Sequence, residues 1–91
     1  MKWIEQIKVQ IPMDQIDSVN HVLNDIEANF DGAEGQCQVN VFRNVKLSTE
    51  FIISLDWDVY NSNGVGSKEG NSVKQLLSKY GMVHHSIWQK I

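Results

Sequence analysis

The chain has very few of the residues that cross-link proteins, cross membranes or attract polyanions. Its single cysteine, Cys37, excludes an internal disulfide and suits a reducing cytoplasm, where we expect the protein to be located. No apolar run reaches the roughly 18 residues of a membrane span, and the early charges of Lys2 and Glu5 predict that there is no signal peptide. Eight basic against eleven acidic residues argue against nucleic acids and anionic membranes as partners.

The residues of several common sites are also missing. One cysteine and three scattered histidines are too few for a structural zinc site, and we expect no metal. Gly64, Gly66 and Gly70 do not have the G-x-G-x-x-G spacing of a dinucleotide loop. We therefore predict a flexible loop there, which leaves open a role as a lid over a ligand, and we expect no cofactor. No nucleophile elbow is recognisable either.

The clearest pattern in the chain is the alternation in Glu50–Tyr60. Successive side chains of a strand point to opposite faces, so this segment predicts a strand with one buried face and one mixed face. Its β-branched and aromatic residues favour the same structure. Every odd position from 51 to 59 is apolar, whereas the even positions are mixed: the odd set is Phe51, Ile53, Leu55, Trp57 and Val59, and the even set is Ile52, Ser54, Asp56, Asp58 and Tyr60.

Similar patterns predict three more strands and two helices. The other strands are Trp3–Ile11, Gln36–Phe42 and Met82–Ile91. A helix is predicted over residues 15–30, with Asp14 as its cap, an apolar stripe that includes Phe30, and a stop at Asp31-Gly32. The second helix carries Val73, Leu76, Leu77 and Tyr80 on one face, begins after a cap at Ser67 or Asn71, and is closed by Gly81.

The resulting order is β-α-β-β-α-β, and we predict one ferredoxin-like α+β domain over residues 1–91. In this arrangement two helices cover one face of a four-stranded antiparallel sheet. The first and third strands lie in the centre and are flanked by the fourth and second. The odd-numbered side chains face the helices, and Glu5 interrupts this apolar set on the first strand.

The opposite face of the sheet has no cover of its own but still carries large apolar side chains. Apolar area of this kind is typical of an interface. Two such sheets packed face to face about a two-fold axis would form a homodimer, which we predict. The interface residues are Ile4, Phe42, Ile52, Asp56 and Trp88, with Tyr60 on the same face.

Charged side chains on this face admit two interpretations. Lys8 is predicted to pair with Asp56 and Asp58, within the sheet or across the dimer. Alternatively, the two carboxylates, two residues apart on the strand, would act in general acid–base catalysis or bind a cation. They also argue against an RNA-recognition domain of the same topology, because they would repel phosphate.

The two adjacent histidines are predicted to point to opposite faces. His85 would face the helices, near Trp57 or Trp3, whereas His84 would share the open face with Trp88. A histidine in either position is more often a structural residue than an acid–base group, so the sequence favours a structural role for His85 and leaves an acid–base role as the alternative.

The pattern resembles the dimeric α/β-barrel group of ferredoxin-like proteins, which includes the antibiotic-biosynthesis-monooxygenase-like family and uncharacterised bacterial members. The likeness is most specific at Phe51–Asp58 (FIISLDWD) and Leu76–Trp88 (LLSKYGMVHHSIW). It implies a homodimer with a pocket between sheet and helices. Some members are cofactor-independent oxygenases of polycyclic aromatic phenols, and relatives degrade haem. The chain departs from them in lacking a histidine on the second helix and an asparagine on the first strand.

The resemblance implies that Trp57, His85 and Trp3 line the pocket, with His85 as the candidate acid or base. Two functions remain open. In the first, the chain is a homodimeric small-molecule-binding protein without a catalytic motif. In the alternative, it is a cofactor-independent monooxygenase-like enzyme acting on a small aromatic ligand. A filled core beside Trp57 would exclude the enzyme, whereas an enclosed pocket of about 300 Å³ or more, with His85 pointing into it, would keep the enzyme possible.

Overall fold

The computed structural model describes residues 2–29, 37–58 and 66–91, which form four strands and two helices. The strands are β1 (Trp3–Gln10), β2 (Cys37–Arg43), β3 (Glu50–Trp57) and β4 (Met82–Gln89); the helices are α1 (Ile16–Asn29) and α2 (Lys68–Leu77). The sheet order is β2-β3-β1-β4, and every neighbouring pair is antiparallel. The predicted ferredoxin-like α+β fold is confirmed. The predictions for Val59, Tyr60, Phe30 and the stop at Asp31-Gly32 lie outside the described residues.

The core lies between the sheet and the helices, on the odd-numbered face as predicted. In the register of β1 and β3, Ile7 stands opposite Ile53 and Val9 opposite Phe51, so the apolar side chains of the central strands meet on one face. Burial of each such side chain stabilises the fold by about 1.5–3 kcal/mol. The buried apolar set is Trp3, Ile7, Val9, Ile11, Val19, Leu23, Ile26, Phe51, Ile53, Leu55, Trp57, Val73 and Leu77.

The entry into α1 differs from the prediction, because Asp14 does not cap the helix. The chain leaves β1 through Pro12 and makes a 3₁₀ turn over Met13–Gln15, in which the Gln15 amide donates to the Pro12 carbonyl at 2.9 Å. Asp14 therefore lies inside this turn, whose N-cap position is occupied by Pro12, and no side chain of the described residues caps the turn.

Both ends of α2 are now defined. Ser67 is the N-cap, and its Oγ accepts a hydrogen bond from the Gly70 amide at 2.8 Å. The predicted closure at Gly81 comes too late, because the helix already ends at Leu77. The amides of Tyr80 and Gly81 both donate hydrogen bonds to the Leu77 carbonyl, at 2.9 and 3.3 Å. Among the described helices, none is both long and apolar enough to cross a bilayer.

The predicted pairing of Lys8 with Asp56 and Asp58 within the sheet is wrong. Lys8 stands opposite Ile52, and its Nζ lies 3.6 Å from Glu50 Oε2. Asp56 stands opposite Ile4 at the other end of the strand pair and accepts a hydrogen bond from Ser54 Oγ at 2.9 Å. The antiparallel register thus separates the lysine from both aspartates. Pairing across a dimer stays a prediction.

Candidate functional site

The unexpected feature of the covered face is a carboxylate, Glu5, at the middle of the apolar layer. It lies on β1 between Trp3 and Ile7 and is 0% exposed to solvent. A carboxylate without access to water is very costly unless hydrogen bonds and charges compensate for its lost hydration.

Glu5 receives this compensation from three other elements of the fold. On Oε2 it accepts hydrogen bonds from the Trp57 indole Nε1, at 2.8 Å, and from the Ser67 hydroxyl. On Oε1 it accepts from the Ser67 amide at 2.8 Å, and His85 Nε2 lies 2.9 Å away. Each oxygen thus has two partners, and these come from β3, the start of α2 and β4. We call Glu5, Trp57, Ser67 and His85 the Glu5 cluster.

The start of α2 adds a further favourable interaction. Ser67 caps this helix, so its amide and hydroxyl present the positive end of the helix dipole to the Glu5 carboxylate. Hydrogen bonds to a charged group contribute about 1.5–3 kcal/mol each. The cluster therefore stabilises the buried charge and fixes where α2 begins on the sheet.

Two glycines allow α2 to approach Glu5 this closely. A Cβ on Gly70 would enter the Glu5 carboxylate, and a Cβ on Gly66 would lie 2.6 Å from both Glu5 Oε1 and His85 Cε1. The segment predicted to be a flexible loop therefore ends in a close backbone contact with Glu5 and His85.

The predicted pocket residues meet at this cluster. Trp3 and Trp57 stack with ring centroids 5.5 Å apart and planes 10° from parallel. Glu5 joins Trp57 to His85, whose side chain is 9% exposed. Among the described residues, Trp3 stacks on the Trp57 ring and Glu5 accepts a hydrogen bond from its indole N–H. The roles of Trp3, Trp57 and His85 in binding a ligand stay predictions.

Two more polar groups, the Trp3 indole N–H and the Cys37 thiol, lie near the Glu5 cluster. The Trp3 indole Nε1 is buried and has no hydrogen-bond partner within the part of the chain that the structure describes. Cys37 stands opposite Trp57 in the sheet register, and burial, together with the charge of Glu5, raises the pKa of its thiol to about 12. Cys37 is therefore a neutral thiol at physiological pH and a poor nucleophile.

A groove of about 610 Å³ opens between the two helices. It exists because α1 packs against β2 whereas α2 packs against β1 and β4, so the helices lie over different halves of the sheet. Its apolar lining is Val22, Ile26, Val73 and Leu76, and its polar rim is Asp25, Lys68, Glu69 and Ser72. Lys68 and Glu69 directly follow Ser67, so the first turn of α2 connects the groove to the Glu5 cluster.

The residues predicted for a dimer interface lie on the open face. Ile4, Phe42 and Trp88 are 36%, 55% and 56% exposed. Asp56 is also exposed, and Ile52 is half-buried. Their participation in an interface stays a prediction. His84 is exposed on this face, opposite Lys8, whereas His85 points towards the helices as predicted.

The sequence analysis missed Glu5 and Ser67 as parts of a site. The signal for Glu5 was present, because a charged residue on the buried face of a strand needs a partner on the covering elements. The identity of those partners depended on how α2 is placed on the sheet, and this placement is not visible in the sequence.

The fit of Gly70 against Glu5 can be tested by Gly70→Ala. Alanine in a helix interior normally stabilises by about 0.8–1 kcal/mol relative to glycine. Here we expect a destabilisation of about 1–3 kcal/mol, because the new methyl group displaces the carboxylate from its donors. Urea denaturation measures the change. Asn71→Ala, at the exposed neighbouring position of α2, is the control and should not destabilise. A Gly70→Ala variant that gains stability would contradict the described contact.

No protein-family model matches the chain, and no curated protein matches it. Solved structures do match. A conserved protein from Methanosarcina mazei Go1 has a TM-score of 0.76 at 14% identity, with 100% of this chain and 94% of that chain covered. A proposed antibiotic biosynthesis monooxygenase from Deinococcus radiodurans has a TM-score of 0.74 at 11% identity, with 98% of this chain and 92% of that chain covered. Another, from Bordetella bronchiseptica, has a TM-score of 0.61 at 17% identity, with 100% of this chain and 99% of that chain covered. At these identities the likeness concerns the fold. The chain is therefore a ferredoxin-like α+β protein that shares its fold with antibiotic-biosynthesis-monooxygenase-like structures.

Proposed function

We propose that the chain is a homodimeric small-molecule-binding protein that holds an aromatic ligand in the groove between α1 and α2. The volume of the groove, about 610 Å³, carries this proposal, because ligand pockets typically measure about 300–1,000 Å³. The apolar lining suits an aromatic ring. Asp25, Glu69 and Ser72 on the rim offer hydrogen bonds to a hydroxyl or amino substituent.

The Glu5 cluster does not line the groove itself, but it is adjacent to this proposed site through the first turn of α2. Lys68 and Glu69 on the rim are joined to Ser67 by the first turn of α2, so a ligand that orders this turn also acts on the contacts of Ser67 with Glu5. Trp57 and Trp3 then serve as the aromatic wall behind the cluster, and His85 as its titratable group.

The homodimer is the second part of the proposal. Ile4, Phe42 and Trp88 expose large apolar surfaces on a sheet face that no described helix covers. A chain of 91 residues also buries a smaller fraction of its surface than a larger domain does, so it gains stability from association. Packing of two open faces about a two-fold axis would cover these side chains on both copies.

A cofactor-independent monooxygenase-like enzyme, acting on an aromatic substrate, is the second candidate function. The observation that favours it is the contact of 2.9 Å between His85 Nε2 and Glu5 Oε1. A histidine held by a carboxylate can act as a general base and remove a proton from a phenol. Two structures with the same fold bear the name of antibiotic biosynthesis monooxygenases.

Ligand binding can be tested by thermal denaturation with 2-naphthol as the probe. At a concentration ten times its Kd, a ligand that binds only the native protein stabilises it by about 1.4 kcal/mol. This corresponds to a Tm increase of about 6–11 °C for a domain of this size. Ser72→Trp fills the groove and should abolish the increase, whereas Asn71→Trp, on the side of α2 away from the groove, should retain it. If neither 2-naphthol nor a panel of substituted phenols and anilines raises the Tm, the proposal is wrong.

The dimer can be tested by sedimentation velocity at micromolar concentration. We expect the wild-type chain to sediment as a dimer and Trp88→Glu as a monomer, because the new charge would be buried without a partner in the interface. Val45→Glu places the same charge on a side chain that is exposed in the β2–β3 turn, and it should remain dimeric. A wild-type monomer, or equal behaviour of the two variants, would exclude this interface.

A further inference from the structure

We propose that Glu5 is a positioning residue that holds neutral His85 in the Nε2–H tautomer, so that Nδ1 is the atom that accepts a proton. This inference deepens the second candidate function and rests on it for its chemical use. The geometry of the pair itself does not depend on any ligand.

The argument begins with the donors around Glu5. The Trp57 indole and the Ser67 amide are donors only, and they approach Oε2 and Oε1 at 2.8 Å. The Ser67 hydroxyl accepts from the Gly70 amide, so its proton is directed to Glu5 Oε2. Three protons thus already point at the carboxylate. An ionised carboxylate is the form that satisfies them, because it accepts hydrogen bonds and donates none.

The fourth contact then defines the tautomer of the histidine. His85 Nε2 lies 2.9 Å from Glu5 Oε1, and an acceptor-only oxygen at that distance requires that Nε2 carry a hydrogen. A neutral imidazole has one N–H, so its Nδ1 holds a lone pair. Nδ1 makes no hydrogen bond to the residues that the structure describes, and it is the ring nitrogen left to meet a substrate.

The ring is also held in orientation. Gly66 packs against the edge of the ring that carries Cε1 and Nε2: a Cβ there would lie 2.6 Å from Cε1 and 3.2 Å from Nε2. Only 9% of the His85 side chain is exposed. The bare backbone of Gly66 and the carboxylate of Glu5 therefore fix the same edge of the ring from two sides.

The chemical consequence is a proton acceptor whose conjugate acid is stabilised. When a phenol O–H meets Nδ1, the O–H bond breaks, its electron pair stays on the oxygen, and an N–H bond forms at Nδ1. The resulting imidazolium carries a positive charge next to the negative Glu5, at the same 2.9 Å contact. Glu5 remains ionised throughout and does not touch the substrate.

The experiment is a long-range ¹H–¹⁵N correlation spectrum of the histidine rings in the wild-type protein without ligand. It is recorded along a pH series, and the tautomer is assigned at the alkaline end, where the spectrum itself shows the ring to be neutral. We expect Nε2 of His85 to be protonated and Nδ1 to be unprotonated, with a tautomer ratio of at least about tenfold. His84, which is exposed on the opposite face, is the internal reference for a ring without this constraint. A proton on Nδ1 of the neutral His85 ring overturns the proposal, as does a ring that is never neutral over the pH range in which the protein stays folded.

Glu5→Gln tests the cause of the preference. A carboxamide has one acceptor oxygen and cannot satisfy the three donors and His85 together, so the tautomer ratio of His85 should fall towards that of His84. The spectrum of His84 should not change. An unchanged ratio for His85 in the folded variant also overturns the proposal. If the variant does not fold, the wild-type spectrum alone decides. Because no ligand is present, this result is independent of the 2-naphthol test.

Discussion

The structure depends on the interaction of one buried carboxylate with its donors. Glu5 lies in the middle of β1, has no exposure to water, and makes contacts with β3, the start of α2 and β4. Apart from the Trp57 indole N–H, which donates to Glu5, the described apolar residues of the buried layer contribute area, which has no direction. The hydrogen bonds of Glu5 are directional, so they define how the helix is placed on the sheet in a way that apolar packing alone does not.

This placement has consequences for both faces of the molecule. The contact of Ser67 with Glu5 sets the beginning of α2 over β1 and β4, while α1 lies over β2, and the groove between them is the result. The same contacts place Trp57 and His85 on either side of one carboxylate. The helix-covered side of the sheet thus combines an apolar groove with the hydrogen-bonded pair of Glu5 and His85. Among the described residues of the open face, none is a fully buried carboxylate like Glu5, and the apolar side chains there suit association with a second copy.

The sequence was sufficient to predict the elements and their topology. Strict alternation in β3 and the stripe in α1 each report which side chains face the core, and the βαββαβ order allows few arrangements. The cap of α2 at Ser67 was one of two alternatives. Other features required three-dimensional information. Lys8 pairs with Glu50 because the antiparallel register brings it there, and no local pattern encodes that register. Asp14 does not cap α1 because a 3₁₀ turn comes first.

Glu5 illustrates the same limit at the candidate site. Its place in the sequence indicated a charge on a buried face, and this is a recognisable signal. Its partners Ser67 and His85 lie 62 and 80 residues away, and the close approach of the α2 segment requires residues without a Cβ at Gly66 and Gly70. The direction of His85 towards the helices was predictable from alternation, whereas its hydrogen bond to Glu5 was not.

The most direct test of this account is hydrogen exchange, followed by NMR, at the Ser67 amide and the Trp57 indole. If Glu5 holds both groups inside the folded protein, both N–H hydrogens should exchange only through global unfolding, as slowly as the amide of Ile53 in the core. Exchange of the Ser67 amide as fast as that of the exposed turn at Val45 would contradict the central claim, because it would show that the start of α2 is not bound to Glu5.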